Sequence, residues 1–224
     1  MSFTHIDIEY PSLTREMVDG VRYYDTPTGE KLVSITSIIS HYNREIFREW
    51  RQRVGNDEAN RVTKQATSRG TDFHSLAEYY LLNRELPRVQ PLSEYLFIQA
   101  KSTLDKINNI HAQEQSLFSH ELGVAGSVDC IAEYEGELAV IDFKTSKKPK
   151  PKEWVDHHFV QCAAYACMLF EMTGIMVKKF VIIMSCEDGE VKVYEEYDKR
   201  KYINLLSEYI REFVEFKLQE YGKA

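Results

Sequence analysis

The stretch Gly126 to Lys144, GSVDCIAEYEGELAVIDFK, constrains this chain more than any other. Two β-prone runs flank Glu135-Gly136, a two-residue loop of the kind that closes a β-hairpin. With Tyr134 opposite Glu137, counting back sets Asp129 opposite Asp142. Directly opposed residues have Cβ atoms about 4.5–5.5 Å apart. Carboxylates that close repel unless one is protonated or a cation lies between them. Lys144, two residues past Asp142, shares its face about 6.6 Å further along. Two acids and a lysine at a sheet's rim suit a divalent cation beside a phosphate. The acid that ends the apolar run Leu138–Ile141 is unfavourable for packing unless it is used.

With 224 residues, 43% of them hydrophobic, the chain is long and apolar enough for one large domain with a full core. The polar start MSFTHIDIEY has no signal-peptide character, and no apolar run approaches a membrane span. No membrane partner is expected. Cys130, Cys162, Cys167 and Cys186 form no CxxC pair and lie in apolar runs. They read as buried thiols in the cytoplasm or another reducing compartment, rather than as disulfides or zinc ligands. A net charge of −7 argues weakly against nucleic acid, yet a local basic patch binds phosphate regardless.

Residues 1–44 read as strands and turns, with a turn at Pro27-Thr28-Gly29. From Arg44 to about Leu82 the apolar spacing is helical, with a break or close contact expected at Gly70. Leu92–His111 reads as a helix and 114–122 as a strand leading into the hairpin. Then come a helix over Lys152–Met172, strands at Lys179–Cys186 and Val191–Glu196, and an amphipathic helix over 199–218. The order implies an α/β fold around a mixed sheet.

Further pairs sit at helical spacing. His74 shares a face with Glu78, and Gln161 with Tyr165. Imidazole is uncommon on Mg²⁺ but readily accepted by Mn²⁺. Gln161 and Tyr165 have the chemistry to contact a phosphate or stack on a base. Lys144, Lys147, Lys148, Lys150 and Lys152 crowd the segment after the hairpin, where they would attract a phosphate backbone. Alone, each of these patterns is ordinary. Glu121, just before the hairpin, reads equally as a second metal ligand or as a solvent-facing acid.

The ordered set His74, Asp129, Asp142-x-Lys144 and Gln161-x-x-x-Tyr165 resembles the RecB-type branch of the PD-(D/E)XK nucleases. Trp50-Arg51, Arg53-Val54-Gly55, Glu58-Ala59 and Arg69-Gly70-Thr71 are similar to the mitochondrial genome maintenance exonuclease group, so the likeness spans residues 33–170. It implies a restriction-endonuclease-like core over 113–224 and an N-terminal elaboration of strands and helices over 1–112, in a single nuclease domain. The implied activity is a Mg²⁺- or Mn²⁺-dependent exonuclease on single-stranded DNA ends, in replication, recombination or repair. His74, Asp129, Asp142 and the Phe143 carbonyl would ligate the metal. Asp129, Asp142 and Lys144 would be catalytic, and Gln161, Tyr165, Arg69, Lys147 and Lys148 would contact substrate. The proline of the family's motif is Val128 here. Cys130, Cys162 and Cys167 lie inside the core, so the iron–sulfur cluster of some relatives is not expected. A helicase, or another replication or recombination protein, is the implied protein partner. This chain has no GxxxxGK[ST] motor motif of its own. The competing readings are a flap or junction endonuclease, a non-catalytic nucleic-acid-binding module, and an acidic protein-interaction domain.

Overall fold

The computed structural model describes residues 2–222. Among them the chain forms β1 (Thr14–Val18), β2 (Val21–Asp25), β3 (Lys31–Ser34), α1 (Ile35–Tyr42), α2 (Arg44–Val54), α3 (Asn56–Leu81) and α4 (Pro91–Leu104). There follow β4 (Ile107–Ser119), β5 (Val124–Tyr134), β6 (Glu137–Ser146), a 3-10 turn (Lys152–Trp154), α5 (Asp156–Thr173), β7 (Lys179–Cys186), β8 (Val191–Glu196) and α6 (Lys199–Tyr221).

The strands make one mixed sheet in the order β1-β2-β3-β5-β6-β7-β8, with β4 also paired to β5. Side-chain alternation sorts the interior into two cores. Val140, Ile182 and Met184 pack beneath α1, α5 and α6 with Phe159, Met168 and Tyr202. Ile141, Phe143, Val181 and Ile183 pack beneath α3 and α4 with Phe73, Leu76 and Phe97. β7 is buried along its whole length, as a strand covered on both faces must be. The fold is thus the expected restriction-endonuclease-like one, a mixed sheet flanked by helices.

Several local expectations need correction. The β-branched run ITSIIS is helix α1, because Ile35, Ile38 and Ile39 bury one helical stripe. The long helical segment breaks at Gly55, not Gly70. Gly55 adopts φ 86°, closing α2 and opening α3, whereas Gly70 lies within α3 with open space where a Cβ would stand. α4 ends at Leu104 and β4 already begins at Ile107, so β4 runs across residue 112. Asn109 at φ 46° takes up a register irregularity between Asn108 and Ala112, a bulge that helical spacing does not disclose.

The hairpin turn forms as read, with Tyr134 opposite Glu137. Its ladder ends at Cys130↔Ile141, so Asp129 and Asp142 are not a ladder pair. The reason is that one edge of β5 serves two partners. β3 pairs in parallel with Val124 and Ala125, and β6 begins at Cys130. Residues 126–129 therefore lie in a fork between β3 and β6, while β4 continues along the other edge. Side chains take over the fork's backbone hydrogen bonds. The Tyr165 hydroxyl donates to the Ser127 carbonyl at 2.6 Å, and the Phe143 N–H donates to Asp129 Oδ2 at 2.8 Å. Gly126 makes room for this arrangement, since a Cβ there would lie 2.9 Å from both Ile35 Cγ2 and Tyr165 Cε1.

α1 is clasped by α6. Tyr42 stacks on Tyr209 with ring centroids 3.6 Å apart, and His41 meets Phe213 and Phe216.

Candidate active site

The fork gathers the chemistry. His74 reaches it from α3, Glu114 from β4, Asp129 from β5, and Asp142 and Lys144 from β6. His74 Nε2 donates to the Phe143 carbonyl at 2.8 Å. Its Nδ1 lies 3.6 Å from Asp129 Oδ1 and 3.8 Å from Glu114 Oε1. The Phe143 peptide is thus held at both polar ends, its N–H by Asp129 and its C=O by His74. Burial disfavours the charged ring of His74. The carboxylates of Asp129 and Glu114 outweigh it, and the pKa rises to about 9.

Asp142 is only 2% exposed, facing α5. Burial, reinforced by the Asp129 carboxylate and opposed by Lys144, lifts its pKa to about 6. Oδ2 lies 2.6 Å from Lys144 Nζ, close enough for an ion pair but off the hydrogen-bonding direction. Neither Asp142 oxygen has a hydrogen-bond donor of proper geometry. A buried carboxylate in that state is a costly anomaly for a structural residue and an ordinary one for a cation ligand. The pKa of Lys144 is raised as well. Burial opposes its charge, but Asp142 and Asp129 hold the ammonium protonated with a raised pKa.

His74, Glu114 and Asp129 offer ligand atoms within 4.8 Å of one another. One imidazole with hard carboxylate oxygens, and the orphaned oxygens of Asp142 alongside, suit a divalent cation. Glu114 was not read from the sequence. The pairs Gln113↔Cys130 and Gln115↔Val128 set it against Asp129, and it holds a left-handed φ of 46°. A non-glycine residue in that region is strained, and such strain clusters at functional sites. Its only signal in the sequence is the alternation of β4, which the bulge at Asn109 interrupts.

The other expected residues separate. Glu78 lies one turn beyond His74, where burial and the Glu114 carboxylate raise its pKa. Glu121 is exposed in the β4–β5 turn, lining a shallow groove with Arg211 and Val214 of α6. Tyr165 is 1% exposed, so its ring has no free face for a base, and its hydroxyl also accepts from Gln161 Nε2 at 3.3 Å. Arg69 donates to Thr145 Oγ1 at 3.1 Å and pairs with Glu187. Lys147 and Lys148 are exposed. The four cysteines are free thiols, three of them buried. No helix among the described residues is long and apolar enough to cross a membrane.

The raised pKa of His74 fixes a pH dependence. The folded state binds this proton more tightly than the unfolded one. The stabilisation is therefore complete below pH 6.5 and lost as pH rises through about 9. Thermal melting of the metal-free protein in EDTA should show this decline, and His74→Ala should remove that step. A decline of equal size in the variant would refute the assignment.

A family model described as the PD-(D/E)XK nuclease superfamily matches residues 82–221. Among curated proteins, mitochondrial genome maintenance exonuclease 1 of Homo sapiens is 33% identical over 156 residues, 64% of this chain and 45% of that one. Its Xenopus tropicalis counterpart is 33% identical over 124 residues, 52% of this chain and 35% of that one. The chain thus spans less than half the length of these relatives. A crystal structure of a putative exonuclease from Eubacterium rectale superposes with a TM-score of 0.52 at 13% identity, covering 71% of this chain and 68% of that one, a likeness of fold. With the family model matching more than half of its length, the chain belongs to the PD-(D/E)XK nuclease superfamily.

Proposed function

We propose that this nuclease is a Mg²⁺- or Mn²⁺-dependent exonuclease that shortens single-stranded DNA from its ends, in replication, recombination or repair. The observation that carries the reading is the buried Asp142 carboxylate, ion-paired with Lys144 but without a well-aligned hydrogen bond, beside the His74–Glu114–Asp129 cluster. Nucleases of this superfamily use divalent metals. Here His74, Asp129, Asp142 and the Phe143 carbonyl would hold the ion, with Glu114 as a further carboxylate. Once bound, the ion supplies Lewis acidity at the scissile phosphate and eases deprotonation of water. Imidazole in the set favours Mn²⁺ over Mg²⁺.

Asp129 and His74 fix the Phe143 peptide, and so the direction in which β6 presents Asp142 and Lys144. The Lys144 ammonium orients the attacking water and balances the charge that grows on the phosphate as the 3′ oxygen leaves. Tyr165 acts from below by closing the fork at Ser127, and Gln161 on the next turn up the helix contacts substrate. A helicase partner fits a nuclease that needs single-stranded ends.

The test is digestion of 5′-labelled and 3′-labelled single-stranded oligonucleotides, with Mn²⁺ or EDTA, and of a circular single strand. Metal-dependent shortening of the linear strands, with the circle intact, is the expected result. Cutting of the circle would make the protein an endonuclease. Intact linear strands would remove the catalytic reading altogether.

A further inference from the structure

On the α5 face of the sheet, beside Asp142, the local charge changes sign. Lys150 lies in the connection between β6 and α5, and its backbone is doubly clamped. Its N–H donates to the Tyr194 hydroxyl at 3.1 Å, and its carbonyl accepts from the same hydroxyl at 2.6 Å. Its ammonium, by contrast, has neither hydrogen bond nor counter-ion among the described residues. Burial, with Lys144 and Arg69 nearby, makes that charge harder to hold and lowers its pKa. A fixed, half-buried cation without a partner is unusual unless an anion comes to it.

The first turn of α5 lies in the field of the same lysines: burial, then Lys144 and Lys150, lowers the pKa of both its histidines. The rings of His157 and His158 lie at a 47° tilt with centroids 3.9 Å apart, and neither ring has a hydrogen bond among the described residues. His158 is 13% exposed, with Nδ1 4.0 Å from Asp142 Oδ2. The turn carries no side-chain cap, and its one acid, Asp156, is engaged by Lys201 and the Tyr202 hydroxyl. Two ligand chemistries compete here. A second metal ion would meet Asp142, His157 and His158 inside the field of Lys144 and Lys150, which opposes a dication. An anion meets an unpaired ammonium and two imidazoles that each offer an N–H.

We propose that Lys150, His157 and His158 bind a backbone phosphate of the nucleic acid adjacent to the one that is cut, and so set the register of the strand over Asp142 and Lys144. The proposal rests on the nuclease reading, and it names Lys150, rather than the exposed Lys147 and Lys148, as the lysine that seats the strand.

The experiment has two arms. In the first, Lys150→Met keeps the aliphatic stem but removes the charge, and Lys150→Arg restores the charge. For cleavage of a single-stranded oligonucleotide, Lys150→Met should raise KM about tenfold or more, with kcat within about twofold. The slope of log affinity against log salt should become shallower by about 0.7. Arginine should recover most of the loss. A neutral methylphosphonate, walked through the terminal linkages, should slow the wild type at one position beside the cut and leave Lys150→Met indifferent there. Equal sensitivity of both proteins, or an unchanged KM, would overturn the proposal.

The second arm needs no cleavage. Inorganic phosphate added to the metal-free protein should move the ring NMR signals of His157 and His158 in the wild type but not in Lys150→Met. Absent or equal movement would overturn the pocket. Movement in a wild type that cuts no DNA would keep the pocket and remove the nuclease reading.

Discussion

Asp142→Asn is expected to lower cleavage by about three orders of magnitude or more while leaving the fold in place. The substitution keeps the shape of a buried side chain and removes its charge. Asp142 sits among packed neighbours with no hydrogen-bond donor of proper geometry on either oxygen, so little structure hangs on those oxygens directly. What is lost is the anionic ligand and the counter-charge that fixes Lys144 at 2.6 Å. Melting in EDTA should therefore change by only a few degrees. The rise in melting temperature that Mn²⁺ gives the wild type, a direct measure of binding to the folded state, should shrink or vanish. Single-turnover digestion and melting with and without Mn²⁺ would check both. A variant that cuts within tenfold of the wild-type rate, or keeps the full Mn²⁺ shift, would remove Asp142 from the site.

The second large effect falls on stability. Gly126→Ala places a methyl group 2.9 Å from Ile35 Cγ2 and Tyr165 Cε1, and 3.0 Å from the Tyr165 hydroxyl. None of these can yield cheaply, because Ile35 is fully buried and Tyr165 is tied to Ser127 within the fork. Overpacking of this kind costs about 1–3 kcal/mol. For a chain of this size each kcal/mol lowers the melting temperature by about 2–4 °C. Asp129 is three residues along the same strand, so activity should fall as well. A double-mutant cycle isolates the cause: in a Tyr165→Ala background the alanine at 126 should cost much less. Strictly additive losses would show that the clash is not with the tyrosine.

What could be read from the sequence depended on how local the determining physics is. The turn at Glu135-Gly136 needs only its own positive φ angles, 53° and 83°, and it forms as read. β7 is an uninterrupted apolar run and keeps the expected bounds, as does β8 across its Asp188-Gly189 turn. The fork gathers His74, Asp129, Asp142 and Lys144, which the sequence presents in family order. Glu114 stayed hidden because its position depends on a bulge and a left-handed residue in a partner strand. Counting along the hairpin set Asp129 against Asp142. That count cannot anticipate β3, more than ninety residues upstream, taking the same edge of β5. Tyr165 looked like a recognition residue because an aromatic at helical spacing does not disclose which way it faces; it faces inward and holds the strand.

The clasp between α1 and α6 has a consequence for synthesis. Tyr42 leaves the ribosome long before Tyr209, its stacking partner, is made. At about 5–20 residues per second, that interval lasts about ten to thirty seconds. Within it β3 waits for β5, and Ser127 then waits for the hydroxyl of Tyr165, 38 residues further on. The carboxylates therefore exist for some time without the frame that aims them.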